Sequence, residues 1–267
     1  MIFLVASFSV AGRVQAQITP PGLGNARTAA WTAIGAREHL DDVDRRVSLT
    51  YVGVGTTSGR DDANPFSRPD ILVLNEEYFD QFDPHWMYSV GLSYRRQNAF
   101  ESDGDDWRLK RFHELRLYGR FSSVLGSERV KVVNTLRPEI RGFVQPSFAA
   151  SETPLQFRFR FKTQVAWAVE KTGRHKLIVA AEELASVGRD RALSSGWSDF
   201  GYRESRFSFF YSLDHEKLPC VVDVGLMNNL LGRATQLVDV QYVALDLVFR
   251  DPFAKLLRAH SPEIAKR

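Results

Sequence analysis

Cationic residues recur at every second position of one segment, at Arg158, Arg160 and Lys162. Guanidinium and ammonium groups bind carboxylates and phosphates, so cations with this spacing would either pair with acidic side chains or bind anionic solutes. The residues between them are phenylalanines. Chemistry on the charged positions therefore requires an element that separates alternate residues onto two faces.

A β-strand is that element, because successive side chains on a strand point to opposite faces. Residues 155–170 alternate apolar and polar throughout, whereas a helix would scatter the three cations around its circumference. The alternation predicts one long strand with an apolar face and a charged face. Such a strand is typical of a barrel wall between lipid and water, although a strand of a soluble sandwich shows the same pattern.

Other segments repeat the alternation, and their charged faces carry both signs. A lipid-facing Arg or Lys near the bilayer centre costs roughly 2–4 kcal/mol, so we expect the charged faces to line an enclosed interior. The predicted lining residues are Asn75, Glu77, Glu114, Arg116, Arg120, Arg137, Glu139, Arg141, Arg158, Arg160, Lys162, Glu182, Glu204 and Arg206, together with Asp239 and Gln241.

Two interpretations of this lining are open. It is either a structural set of ion pairs that fills a narrow interior, or a conduit or pocket selective for small anionic solutes. The second interpretation rests on the cations of residues 129–144 and 155–170.

The connections between the predicted strands alternate in length. Short turns fall at residues 83–84, 125–128, 171–174 and 213–217, and longer polar loops at 56–69, 98–106, 145–154 and 188–196. Short turns at one end and longer loops at the other are typical of outer-membrane barrels.

The segments number eleven, whereas single-chain bacterial barrels have even strand numbers. We therefore expect that one strand near the N-terminus escapes recognition. The predicted fold class is all-β, a closed antiparallel transmembrane β-barrel of about 10–12 strands that spans residues 26–250.

The two ends of the chain lie outside this barrel. An apolar run at residues 2–12, followed by Val14, Gln15 and Ala16, predicts a signal peptide at 1–16, although no Lys or Arg precedes the run. A short buried N-terminal strand is the alternative. Residues 17–25, with two prolines, are expected to be an irregular lead-in, and 251–267 a C-terminal tail.

No catalytic motif, metal-ligand spacing or phosphate loop is recognised, so we expect neither an enzyme nor a cofactor. Cys220 is the single cysteine, and the net charge of +3 is spread along the chain, which argues against a nucleic-acid partner. Two alternatives stay open: a lipid-modifying hydrolase on the barrel with His113 as base, and a soluble periplasmic barrel that binds a ligand.

Five segments together resemble a family of exported proteins of Gram-negative bacteria, catalogued as domain of unknown function 2490. These are residues 20–24 with Trp31, 72–79, 116–121, 202–207 and 225–229, and the resemblance extends from Gly22 to Phe253. It implies an outer-membrane β-barrel and no reaction.

The expected partners are outer-membrane lipid and lipopolysaccharide, with small anionic solutes as a second class, while the oligomeric state is left open. Aromatic residues near strand ends are expected to form girdles at the membrane interfaces. They are Tyr78, Phe82, Trp86, Tyr94, Trp107, Trp197, Phe209, Phe210 and Tyr211.

Overall fold

A computed structural model describes residues 18, 20–23, 26–59, 62–103, 106–147, 149–232 and 237–254, with the backbone alone at 99–103, 106–110 and 150. The predicted signal peptide and most of the predicted tail lie outside these ranges. No helix within them is long and apolar enough to cross a membrane, a finding that concerns helices alone. The strands are β1 (Thr28–His39), β2 (Arg46–Thr57), β3 (Arg68–Asp83), β4 (Trp86–Asp103), β5 (Asp106–Gly126), β6 (Val130–Val144), β7 (Ala150–Ala168), β8 (His175–Gly188), β9 (Gly201–Leu213), β10 (Cys220–Leu231) and β11 (Val238–Arg250).

The eleven described strands form one closed barrel, which confirms the predicted all-β barrel of 10–12 strands. Neighbours in sequence pair antiparallel, and β1 pairs with β11 in parallel, from Thr28↔Gln241 to Arg37↔Arg250. An odd number of up-and-down strands leaves the first and last pointing the same way, so a parallel seam is the way they close. The expectation of a missed twelfth strand is therefore wrong.

The strands are strongly tilted, as the register around the barrel shows. A row of directly paired residues can be followed once around the barrel from the first residue of β8. The row ends on β7 next to Gln156, which pairs with Gly188 at the last residue of β8. This row runs through His175, Leu213, Val222, Leu247, Ile34, Val52, Leu74, Tyr94, Leu115, Gly142 and Leu155. A stagger as long as a strand corresponds to a tilt of roughly 35–45°.

Connections 40–45, 84–85, 127–129, 169–174 and 214–219 define the short-turn end of the barrel. Connections 58–67, 145–149, 189–200 and 232–237 define the other end, which we call the long-loop end, although only 58–67 and 189–200 are longer than the connections at the short-turn end. The loop expected at residues 98–106 is instead mostly strand, since β4 and β5 remain paired up to Asp103↔Asp106. In the described structure, β4 pairs with β3 only as far as Gln97, and β5 pairs with β6 only from His113 onward. The β4–β5 hairpin therefore projects beyond the long-loop end of the barrel.

Apolar side chains face outward and charged ones inward along β7, the strand on which the prediction rests. Phe159 and Phe161 are 46% and 52% exposed, whereas Arg160 between them is 4% exposed. The same outward apolar face continues across β4 and β5, where Leu92 and Leu117 are exposed partners. The barrel is thus apolar outside and, on this side, ionic inside.

The remaining walls enclose an apolar core. Trp31, Phe210 and Tyr242 are at most 2% exposed and pack in one cluster that also contains Ile18 and Leu23. The described residues of the predicted lead-in, 18 and 20–23, therefore lie inside the barrel. Phe210, predicted to belong to an interfacial girdle, faces inward because it lies in register with the other interior residues of β9.

Interior aromatic rings cover glycines on neighbouring strands. A Cβ at Gly91 would lie 2.3 Å from Cζ of Tyr118, its direct partner on β5. A Cβ at Gly225 would lie 2.4 Å from the Phe210 ring. Because Tyr118 is buried and its hydroxyl oxygen lies 2.9 Å from Oδ1 of Asn75, the ring cannot move away from an added methyl group.

We predict that Gly91→Ala destabilises the barrel by roughly 1–3 kcal/mol, since the added methyl group overpacks a fixed ring. Gly119→Ala is the matched control, because its Cβ meets only the Ser89 carbonyl at 3.5 Å. Thermal unfolding followed by gel mobility in detergent measures both. Equal melting temperatures for the two variants would contradict the packing described here.

Candidate functional site

The fourteen predicted lining residues all occupy inward-facing strand positions. Asp239 and Gln241, the two further candidates, are exposed and face outward with Val243, so their prediction as lining residues is wrong. The inward residues come from β3 (Asn75, Glu77), β5 (Glu114, Arg116, Arg120), β6 (Arg137, Glu139, Arg141), β7 (Arg158, Arg160, Lys162), β8 (Glu182) and β9 (Glu204, Arg206).

Sequence reasoning missed three members of this interior: Arg95, Asp70 and Tyr118. The signal for Arg95 was present, because it shares its strand face with Ser89 and Ser93, which are also buried. Tyr118 was not recognised because it is an aromatic residue on a predominantly charged face.

An alternating series of arginine and glutamate side chains crosses five strands, and we call it the ion-pair ribbon. It starts on Glu114, whose carboxylate accepts hydrogen bonds from Nη2 of Arg116 and Nε of Arg141, both at 2.7 Å. Arg116 also lies 3.7 Å from Glu139. One guanidinium group thus links the carboxylates of two neighbouring strands.

The ribbon continues through Arg160, whose Nη1 lies 3.1 Å from Glu139 and whose Nη2 lies 2.6 Å from Glu182. Arg206 lies 3.5 Å from Glu182 and also pairs with Glu204. The side chain of Glu139 is fully buried. The guanidinium groups of Arg116, Arg160 and Arg206 therefore each have a carboxylate on either side, which is the arrangement that makes buried charges tolerable.

Tyr118 connects the ribbon to a second acidic group, Glu77. Its hydroxyl donates to Glu77 at 2.8 Å, and Arg120 lies 3.0 Å from the same carboxylate. The guanidinium carbon of Arg137 lies 3.7 Å from the centroid of the Tyr118 ring, a cation–π contact. The ring thus stabilises the guanidinium group of Arg137, because the carboxylate of Glu139 is shared among Arg137, Arg116 and Arg160.

Cations outnumber carboxyl groups in this ionic lining. Nine cationic side chains (Arg95, Arg116, Arg120, Arg137, Arg141, Arg158, Arg160, Lys162, Arg206) stand against six acidic ones (Asp70, Glu77, Glu114, Glu139, Glu182, Glu204). Within this set of fifteen side chains the cations exceed the carboxyl groups by three, whereas elsewhere in the barrel Arg37 and the carboxyl groups of Glu38, Asp80, Asp223 and Asp246 are also buried. A low-dielectric enclosure with such an excess attracts anions and repels cations.

A polar cavity of about 490 Å³ opens at the long-loop end. Its lining includes Arg158, Arg203, Glu204 and Asp190. Arg158 is 3.7 Å from Glu204, and within the described part of the chain its Nε has no hydrogen-bond acceptor. The charged side chains that line this cavity are thus two arginines and two carboxylates.

The loop 58–67 beside this end is held by Asp62. Ser67 donates to its carboxylate at 2.9 Å, as does the backbone N–H of Gly59. The Ser67 hydroxyl, aided by these backbone groups, lowers the pKa of Asp62. The loop is therefore ordered by an ionised carboxylate at neutral pH.

Two glutamates face outward in the middle of the apolar wall. Glu76 accepts hydrogen bonds from the hydroxyls of Ser48, at 2.5 Å, and Thr50. Glu183 accepts one from Ser205 at 2.7 Å. These hydroxyls satisfy part of the hydrogen-bonding capacity of each carboxylate, which lowers the cost of an apolar surrounding.

His113 lies on the outward face, where its Nδ1 is 2.6 Å from the hydroxyl of Tyr94. Ser122, a serine on the same strand, is nine positions farther along β5 and faces inward. At about 3.3 Å per residue the two are roughly 30 Å apart, so the structure does not bring them together. Among the residues described, no group of three potential metal ligands is close enough to hold an ion.

Comparison with models of known families, with curated proteins and with solved structures found no match. The resemblance to domain of unknown function 2490 thus stays a prediction. Fold and interior together define a class: a closed β-barrel with an apolar outer wall, an ionic lining and an N-terminal segment inside.

We predict that Glu139→Gln destabilises the barrel by roughly 3–5 kcal/mol, because it leaves three buried guanidinium groups around an uncharged amide. The control is Glu216→Gln, which removes an exposed pair with Arg174 at 3.2 Å and should cost at most about 1 kcal/mol. Denaturant titration of the folded band measures both. A cost for Glu139→Gln no larger than the control's would show that the ribbon is not a structural element.

Proposed function

We propose that this chain is an outer-membrane β-barrel protein with a structural role or a role in the passage of small solutes, and that its interior prefers anions. The single observation that carries the membrane assignment is the orientation of β7. Phe159 and Phe161 face outward while Arg160 is buried, the reverse of a soluble barrel with a dry core.

The outer wall as a whole supports this assignment. Exposed apolar side chains occur on all strands, among them Ile34, Leu74, Val90, Leu136 and Leu226, each between 44% and 63% exposed. Soluble monomers rarely expose such a continuous apolar surface. Closure of the sheet satisfies the strand hydrogen bonds internally, as a bilayer requires.

Aromatic pairs near the two ends of the barrel fit interfacial girdles. Trp86 and Phe121 stack at 5.0 Å near the short-turn end, and Phe157 and Trp197 at 6.0 Å near the long-loop end. Trp and Tyr favour such interfaces because an apolar ring body carries a polar tip. The side chain of Trp107, another predicted girdle residue, lies outside the described residues.

The preference for anions is supported by the ionic lining and by the cavity at the long-loop end. In the ionic lining, nine cations stand against six carboxyl groups, a formal excess of three positive charges in this part of the interior. The apolar half of the interior and residues 18–23 narrow the space, so the passage or binding of small anions fits better than that of large solutes.

For localisation, we predict recovery of the mature protein in the outer-membrane fraction of a Gram-negative host. The folded barrel should resist detergent without heating and migrate differently from the boiled chain. Recovery in the detergent-free soluble fraction would instead favour the periplasmic ligand-binding alternative.

For selectivity, we predict that the reversal potential of planar-bilayer currents in a potassium chloride gradient has the sign of the chloride equilibrium potential. Arg158→Gln should reduce this preference because Arg158 lines the cavity. Lys217→Gln, an equal charge change on an exposed turn, should leave it unchanged. Silence in repeated insertions would count against passage, and a cation preference against the role of the lining.

A further inference from the structure

The described residues 18 and 20–23 lie between opposite walls of the barrel. Nη2 of Arg95, on β4, donates to the carbonyl of Gly22 at 2.6 Å, and Nη1 of Arg206, on β9, donates to the carbonyl of Pro20 at 3.3 Å. The N–H of Leu23 donates to the hydroxyl of Tyr242 at 2.8 Å. The segment is thus bound mainly through its carbonyl oxygens.

The sequence of the segment suits the cation-rich ionic lining beside it. Pro20 and Pro21 have carbonyl acceptors but no N–H, so the segment brings oxygen atoms into the barrel with few donors. A Cβ at Gly22 would lie 3.0 Å from Nη2 of Arg206 and 3.2 Å from Glu204, so the residue packs directly on charged groups. Ile18 and Leu23 anchor the segment in the apolar core.

The hydrogen bonds of Arg95 inside the barrel are made to neutral oxygen atoms. Its hydrogen-bond acceptors are the Gly22 carbonyl and the amide oxygen of Gln97, at 3.0 Å. Within the described ranges no carboxylate lies at ion-pair distance from this buried guanidinium. A charged group whose acceptors are neutral oxygens is a ready partner for an anion.

We propose that residues 20–22 occupy an oxyanion site of the barrel. The carbonyl oxygens of Pro20 and Gly22 stand where oxygens of small carboxylates or phosphates bind when the segment is displaced, with Arg206 and Arg95 as the two recognition groups. The 490 Å³ cavity at the long-loop end borders this site through Glu204, the partner of Arg206. The inference deepens the proposed preference for anions, and membrane insertion is not needed for it.

The test compares the full mature chain with a variant that lacks residues 18–23, each folded in detergent. Melting temperatures are measured in sodium chloride and in sodium phosphate of equal ionic strength. The deletion variant should gain about 3–6 °C in phosphate at tenfold excess over Kd, and the full chain should gain none.

Substitutions in the deletion background locate the effect. Arg95→Gln and Arg206→Gln should each abolish the gain in phosphate. Arg96→Gln is the matched control, since Arg96 is the next residue on β4 but is exposed on the outward face, and it should retain the gain. Retention of the gain in all three variants would overturn the site.

Other outcomes also decide. An equal gain in the full chain would indicate surface binding and overturn the proposal, as would no gain in the deletion variant. If the deletion does not fold, a Gly/Ser sequence of the same length replaces residues 18–23. Failure of both variants to fold would show that the segment is integral to the core and cannot be displaced. A soluble location in the cell would leave this experiment intact, so the two proposals fail separately.

Discussion

The ion-pair ribbon is the interaction on which the rest of the barrel depends. Its carboxylates and guanidinium groups lie on neighbouring strands, from Glu114 on β5 to Glu204 on β9, and meet because the strands are in one register. A slip of one residue would turn the ionic face outward and the phenylalanines of β7 inward. Buried ion pairs add little net stability, but they penalise such a slip heavily. The ribbon therefore specifies which face of the sheet is the inside.

Closure imposes the second constraint. With eleven strands the seam is parallel, and the walls around it, β10, β11, β1 and β2, carry mainly apolar interior side chains, with Arg37, Asp223 and Asp246 buried among them. Trp31 on β1 donates through Nε1 to Asp246 on β11 at 3.0 Å, directly across this seam. Residues 18–23 fill the space between the apolar and ionic walls. The interior is thus divided, and the segment contacts both parts: Leu23 packs against Ile71, and Gly22 lies beside Arg206 and Glu204.

Much of the barrel is predictable from alternation, because a strand between apolar and polar surroundings repeats every two residues. Residues 155–170 predict β7 and its two faces, and the alternating connections predict the two ends. No single segment of the sequence shows whether the number of strands is odd or even. The parallel pairing of β1 and β11 depends on the number of strands in the whole barrel. Asp239 was wrongly predicted to face inward because polar residues are also tolerated on the outer face near the rim of a barrel. There Asn228 donates a hydrogen bond to Asp239 at 2.5 Å. The sequence of residues 18–23 does not indicate that this segment lies inside the barrel, since prolines and glycines predict a loop whether the loop is inside or outside.

The central claim is that the exposed phenylalanines of β7 contact acyl chains while the cations between them do not. Fluorescence quenching by lipids brominated along the acyl chain tests it most directly, in a variant in which every tryptophan except Trp31 is replaced by phenylalanine. Phe161→Trp in this background should be strongly quenched, whereas buried Trp31 alone should not. Equal, weak quenching of both tryptophans would contradict the orientation of the wall and, with it, the membrane assignment.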